Sequence, residues 1–143
     1  MAELDALLES MLTRTEHVKA IMVTDRDGVI LAKALHKDSQ DGILEPAFSA
    51  TFAVACEQCG KLGLGTTNSI ISTFSSTQIV QFSHPPLILT LLASLDIPPG
   101  VLLAAGKDLA DPMKMVADAV ARSTAGAGGP AVGSGNAVVV GRA

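Results

Sequence analysis

Ser69-Ile70-Ile71-Ser72-Thr73-Phe74-Ser75, Thr77-Gln78-Ile79-Val80-Gln81-Phe82 and Leu87-Ile88-Leu89-Thr90-Leu91-Leu92-Ala93-Ser94-Leu95 follow one another in an interval, Lys61 to Asp96, whose interior holds no Asp, Glu, Lys or Arg. Runs of β-branched and apolar residues at this spacing predict three successive strands, the first two forming a hairpin. The third is apolar almost throughout, as in a strand covered on both faces, and is expected at the centre of the sheet. The first has Ser and Thr between its large residues and is expected at an edge. Soluble sheets protect their edges with charge or proline, because unpaired backbone N–H and C=O groups recruit other strands. That protection is missing here, so either the sheet closes on itself or the edge is kept for a partner.

Outward from this interval, two further β-rich runs, Val18 to Thr24 and Val29 to Leu35, flank Asp25-Arg26-Asp27-Gly28, a hairpin turn signal. Leu4, Leu7, Leu8, Met11 and Leu12 recur at helical spacing and predict a short amphipathic helix. His36 to Gly42 reads as a polar loop. A second helix is expected from about Glu45 to Leu62, with Pro46 in its first turn and Gly60, Gly63 and Gly65 ending it. It is apolar or small almost all round, with Glu57 and Lys61 as its charged stripe, so it has more than one side to bury. After Pro98-Pro99-Gly100, Val101, Leu102, Ala105 and Leu109 indicate a helical stretch. Asp111 as N-cap and Pro112 at the first helical position predict a restart or kink there. The Gly/Ala-rich residues 123–143 read as a flexible tail, with Val138-Val139-Val140 too short to change that reading. The order is α-β-β-α-β-β-β-α, an α/β (α+β) chain.

The chain has 143 residues, 48% of them hydrophobic and 17% charged, which suits one domain with part of its surface made for a partner. No run approaches the ~18–20 apolar residues of a membrane-spanning helix. The acidic start, Met1-Ala2-Glu3-Leu4-Asp5, lacks the basic region of a signal peptide. A net charge of −4 argues against a nucleic-acid backbone as ligand. Two cysteines without a secretory signal point to a reducing compartment.

Catalytic readings fare poorly. Cys56-Glu57-Gln58-Cys59 has redox or zinc spacing, but the pair sits late in a helix, away from the N-terminal dipole that activates a thiol. His17, His36 and His84 show no paired spacing to complete a zinc site. Both cysteines are therefore expected as small buried hydrophobes. Asp25-Arg26-Asp27-Gly28 opens like a calcium loop, yet Val29 and His36 occupy positions that need oxygen ligands. Gly60-Lys61-Leu62-Gly63-Leu64-Gly65-Thr66-Thr67 shares only glycine content with a phosphate loop. The first helix has an acidic polar face, unlike a membrane-seeking helix. No catalytic residue, cofactor or metal is expected.

Ala20-Ile21-Met22-Val23-Thr24-Asp25-Arg26-Asp27-Gly28-Val29, Phe48-Ser49-Ala50-Thr51-Phe52-Ala53, Lys61-Leu62-Gly63-Leu64, Asn68-Ser69-Ile70-Ile71 and Gln78-Ile79-Val80-Gln81-Phe82, in this order, resemble the roadblock/dynein-light-chain superfamily. Within it they are most similar to the MEK-partner scaffold subunits of Ragulator complexes. The resemblance covers residues 1–122, taken as one roadblock-like domain, and leaves 123–143 outside. It implies a five-stranded antiparallel sheet with the second helix on one face and the terminal helices on the other. It further implies a non-catalytic scaffold that heterodimerises with a paralogous roadblock subunit through the second helix and third strand. Other Ragulator-like subunits, Rag-type GTPases acting toward TORC1, and MEK–ERK kinases are the implied partners. The alternative is a homodimeric small-GTPase regulator or dynein-type light chain of the same fold.

The expected dimer surface comprises Phe48, Thr51, Phe52, Ala55 and Cys59 on the second helix and Ile70, Ile71, Ser72, Thr73 and Phe74 on the strand. Some of the helix positions must pack on the sheet instead. The expected location is cytoplasmic, on late endosomes or lysosomes through partners. Ala2 stands where myristoylation needs Gly, and Val140-Gly141-Arg142-Ala143 offers no cysteine for prenylation.

Overall fold

A computed structural model describes residues 2–36, 47–125 and 137–142. Its elements are α1 (Ala2–Arg14), β1 (Val18–Asp25), β2 (Ile30–Leu35), α2 (Ala47–Gly60), β3 (Thr67–Thr73), β4 (Thr77–His84), β5 (Leu87–Ser94), α3 (Pro99–Asp108), α4 (Ala110–Ala125) and β6 (Ala137–Arg142). The sheet runs β2-β1-β5-β4-β3-β6. The first five strands are antiparallel throughout. Strand β5, with seven of its eight residues buried, is the middle of those five, which is where its continuous apolar sequence belongs.

The β1–β2 turn forms as the sequence dictates. The Asp25 side chain accepts hydrogen bonds from the amides of Asp27 and Val29, each at 2.9 Å, and Gly28 takes φ +90, where a side chain would be strained. The pleat then sorts side chains between two faces. Ile21, Val23, Ile71, Val80, Leu89 and Leu91 share the main core with Leu4, Leu8 and Met11 of α1, Leu102 of α3 and Met113 of α4. On the opposite face Ile70 and Ile88 meet Phe52 of α2. Helices thus cover both faces, with α2 alone on one and α1, α3 and α4 on the other among the described residues.

Gln78 pins the route from β5 to α3. Its buried amide donates to the carbonyls of Ser94 at 2.9 Å and Ile97 at 2.6 Å, holding the segment that leads into Pro98, the N-cap of α3, and Pro99 at its first position. The expected helix break is real but falls earlier than Asp111. Leu109 interrupts the run, and Asp111 lies inside the first turn of α4. The cause is Pro112, which has no N–H to offer the carbonyl four residues back, at Asp108. The backbone is repaired at Leu109, whose carbonyl accepts from Met113 at 2.9 Å.

Residues 123–125 and 137–142 differ from the expected tail. Helix α4 continues to Ala125, and Ala137–Arg142 forms β6, parallel to β3 along its length. The three consecutive valines are β-branched, and β3 offers a row of unpaired backbone groups for them to use. The polar loop from His36 to Gly42 falls outside the described residues beyond His36.

Candidate interaction surface

The amino acids of α2 leave its facing undecided, because apolar and small residues surround the whole axis. The sheet decides it. Phe52 is buried to 3% exposure against Ile70 and Ile88, with Ala55 and Cys56 packed beside it. Burying such a side chain contributes roughly 1.5–3 kcal/mol. At the N-terminal end, Ser49 and Thr24 join their buried hydroxyls at 2.6 Å. These contacts turn Ala47, Ala50, Thr51, Val54, Glu57 and Gln58 outward, all exposed. Val54 is 57% exposed, and Leu62 and Leu64 in the following loop are 66% and 75% exposed. The helix therefore presents an outer face with no charge before Glu57, and the loop after it carries two bare leucines.

Of the residues expected at a dimer surface, Thr51 lies on this outer face and Ala55 and Cys59 are half-buried at its margin. Phe52 faces the sheet, Ile70 of β3 packs on the α2 side, and Ile71 packs in the main core on the other. Their side chains hold the subunit's own fold together. Ser72 and Thr73 are half-buried, and Phe74 is 41% exposed at the β3–β4 turn. The side chain of Phe48 lies outside the described part. The outer backbone edge of β3 is engaged by β6, from Thr67 opposite Ala137 to Thr73 opposite Arg142. Residue-level reading missed Val54, Leu62 and Leu64. Leu62 and Leu64 flank Gly63, and the positive φ of Gly63 and Gly65 carries the loop away from the core.

Beside the C-terminal half of α2 lies an open cleft of about 440 Å³, lined by Arg26, Phe52, Cys56, Glu57, Thr67 and Pro86 among others. It brings one thiol near one carboxylate, with no imidazole in the lining. The Cys56 thiol is pushed above its ordinary pKa by burial and by neighbouring Cys59, against weaker opposing effects of the Thr67 hydroxyl and Arg26. That is the reverse of an activated nucleophile. Both cysteines are free and half-buried, more exposed than the buried pair the sequence suggests. Among the described residues no three His, Cys, Asp or Glu side chains gather as a metal site, and no helix is long and apolar enough to cross a membrane.

Comparison with known proteins agrees with this architecture. Solved structures with the same fold include MglB in a tetrameric arrangement, with TM-score 0.69 and 18% identity over 79% of this chain and 86% of that one. A roadblock/LC7 domain from Streptomyces avermitilis gives TM-score 0.65 and 19% identity over 81% and 96%. Among sequence relatives, Ragulator complex protein LAMTOR3-A of Xenopus laevis is 40% identical over 118 residues, covering 82% of this chain and 96% of its own length. The Ragulator complex protein LAMTOR3 homolog of Drosophila melanogaster is 40% identical over 97 residues, 68% of this chain and 78% of its own. The profile of the family described as "Mitogen-activated protein kinase kinase 1 interacting" matches residues 2–120. With a roadblock-type fold and a match over most of its length, the chain belongs to the mitogen-activated protein kinase kinase 1 interacting family.

Proposed function

We propose that this protein is a non-catalytic scaffold subunit of a Ragulator-type complex. It pairs with a paralogous roadblock subunit through the outer face of α2 and the edge of β3. The resulting dimer recruits Rag-type GTPases for amino-acid signalling to TORC1 and serves as a platform for MEK–ERK kinases. The observation that carries this reading is α2: a helix whose outer face has no charge before Glu57, on a chain 40% identical to LAMTOR3-A over nearly all of that protein. An apolar helix face left open by its own sheet is what a permanent subunit interface supplies. The raised Cys56 thiol and the absence of an imidazole beside it support a binding rather than a chemical role. Residence on late endosomes or lysosomes then comes through an anchored partner.

The test is co-expression of the full chain with each roadblock-domain paralogue from its own genome, followed by size-exclusion chromatography and mass measurement. A one-to-one heterodimer is expected with one paralogue. A stable homodimer of the chain alone, with no paralogue bound, overturns the reading in favour of a homodimeric regulator of the same fold.

A further inference from the structure

We infer that β6 is a built-in guard on the β3 edge, which a partner strand must displace before it can pair there. The inference rests on the proposed use of β3 in dimerisation and adds a competitor carried by the chain itself. Three observations carry it.

First, β6 runs along the edge from end to end: Thr67, Ser69, Ile70, Ile71, Ser72 and Thr73 face Ala137, Val138, Val139, Val140, Gly141 and Arg142 in parallel, with one register shift between Thr67 and Ser69. A strand has two hydrogen-bonding sides, and β4 holds the other. With β6 in place that side of β3 is occupied in continuous register from Ser69 to Thr73, so β6 and a partner strand exclude each other.

Second, β6 has the build of an edge guard. It ends on a glycine and a charged residue, Gly141 and Arg142. Charge on an edge strand is one way soluble sheets discourage further addition. The missing protection of the interval Lys61 to Asp96 is thereby supplied from outside that interval.

Third, β6 lies beyond residues 2–120, the span matched by the family profile. The guard is an addition to the shared domain. It is tethered to α4 through residues 126–136. A strand on a short tether competes at an effective concentration on the order of millimolar, so even a weak strand lowers a partner's apparent affinity.

The experiment uses the full chain carrying Val138→Pro and Val139→Pro together. Successive residues of a strand aim their N–H groups to opposite sides, so one of the two replacements removes a donor facing β3. A second variant, ending after Ala125, removes the guard outright. Hydrogen exchange is read at the amides of β3, and affinity is measured for the paralogous subunit found by co-expression. Expected results are loss of protection at β3 in both variants when alone and partner binding at least about tenfold tighter than wild type. A synthetic peptide of residues 136–143 should bind both variants and not the wild type.

Unchanged β3 exchange in both variants overturns the guard itself, leaving the dimer reading to its own test. Exposed β3 amides with unchanged partner affinity overturn the competition, and show that the partner does not use this edge.

Discussion

The hydroxyls of Thr24 on β1 and Ser49 on α2 lie 2.6 Å apart, both buried, and fix the rotation of the helix on the sheet. Removing one hydroxyl strands the other in an apolar layer, which costs about 1–3 kcal/mol. Removing both leaves nothing unsatisfied. Thr24→Val and Ser49→Ala should each lower stability by that amount in urea denaturation, with the double variant at least about 1 kcal/mol better than the sum. Additive losses would mean the pair is not coupled.

Gly106 of α3 lies against the ring of Phe82, and a Cβ there would overlap three ring atoms. Gly106→Ala should destabilise by about 1–3 kcal/mol, as overpacking does. Gly100, in the first turn of the same helix, has nothing within 4 Å of its would-be Cβ. Gly100→Ala should be neutral to stabilising by about 0.4–1 kcal/mol. Thermal unfolding of the two variants checks the contrast.

Ile71 and Thr73 are neighbours on β3 with different duties. Ile71 is 3% exposed in the main core, so Ile71→Lys should fail as a fold, losing several kcal/mol for an unpaired buried charge. Thr73 is half-buried, and Thr73→Lys should keep the melting temperature while weakening partner binding. Isothermal titration against the paralogous subunit, beside a melting curve, distinguishes the two. Intact binding by Thr73→Lys would remove β3 from the interface.

His84 ends β4 with its Nε2 buried and without a hydrogen-bond partner among the described residues. Burial holds its pKa below the ordinary histidine value. The unfolded chain therefore takes up this proton first as pH falls through about 6.5. Stability should be full above that value and decline below it, until the folded histidine is protonated as well. His84→Gln should flatten this part of the pH profile, measured by urea midpoints from pH 7.5 to 5. An unchanged slope would show that other groups set it.

Cys56→Ala with Cys59→Ala should leave partner binding intact, with a packing loss of about 1 kcal/mol or less from two half-buried sites. In the wild type, modification of Cys56 by a thiol reagent should be slow at neutral pH and accelerate above pH 8, as its raised pKa requires. Rapid alkylation at pH 7 would revive a chemical role for the thiols.

The sequence by itself determined the elements whose signals are local. The Asp25–Gly28 turn, the alternation of β3 and β4, and the unbroken apolar run of β5 specify five antiparallel strands, with β5 in their centre. The family likeness of Ala20–Val29 and Lys61–Leu64 was legible for the same reason, since those residues shape turns and helix ends wherever they occur. Tertiary structure decided what local pattern leaves open. Apolar residues surround α2, so no periodicity says that Phe52 faces inward and Val54 outward; packing on Ile70 and Ile88 and the Thr24–Ser49 bond say it. The helix break fell at Leu109 because the proline at 112 acts on a carbonyl four residues earlier, not on its own position. Val138 to Val140, between glycine-rich neighbours, became a strand because β3 had an open edge, and the pairing energy of a strand belongs to the pair rather than to either sequence.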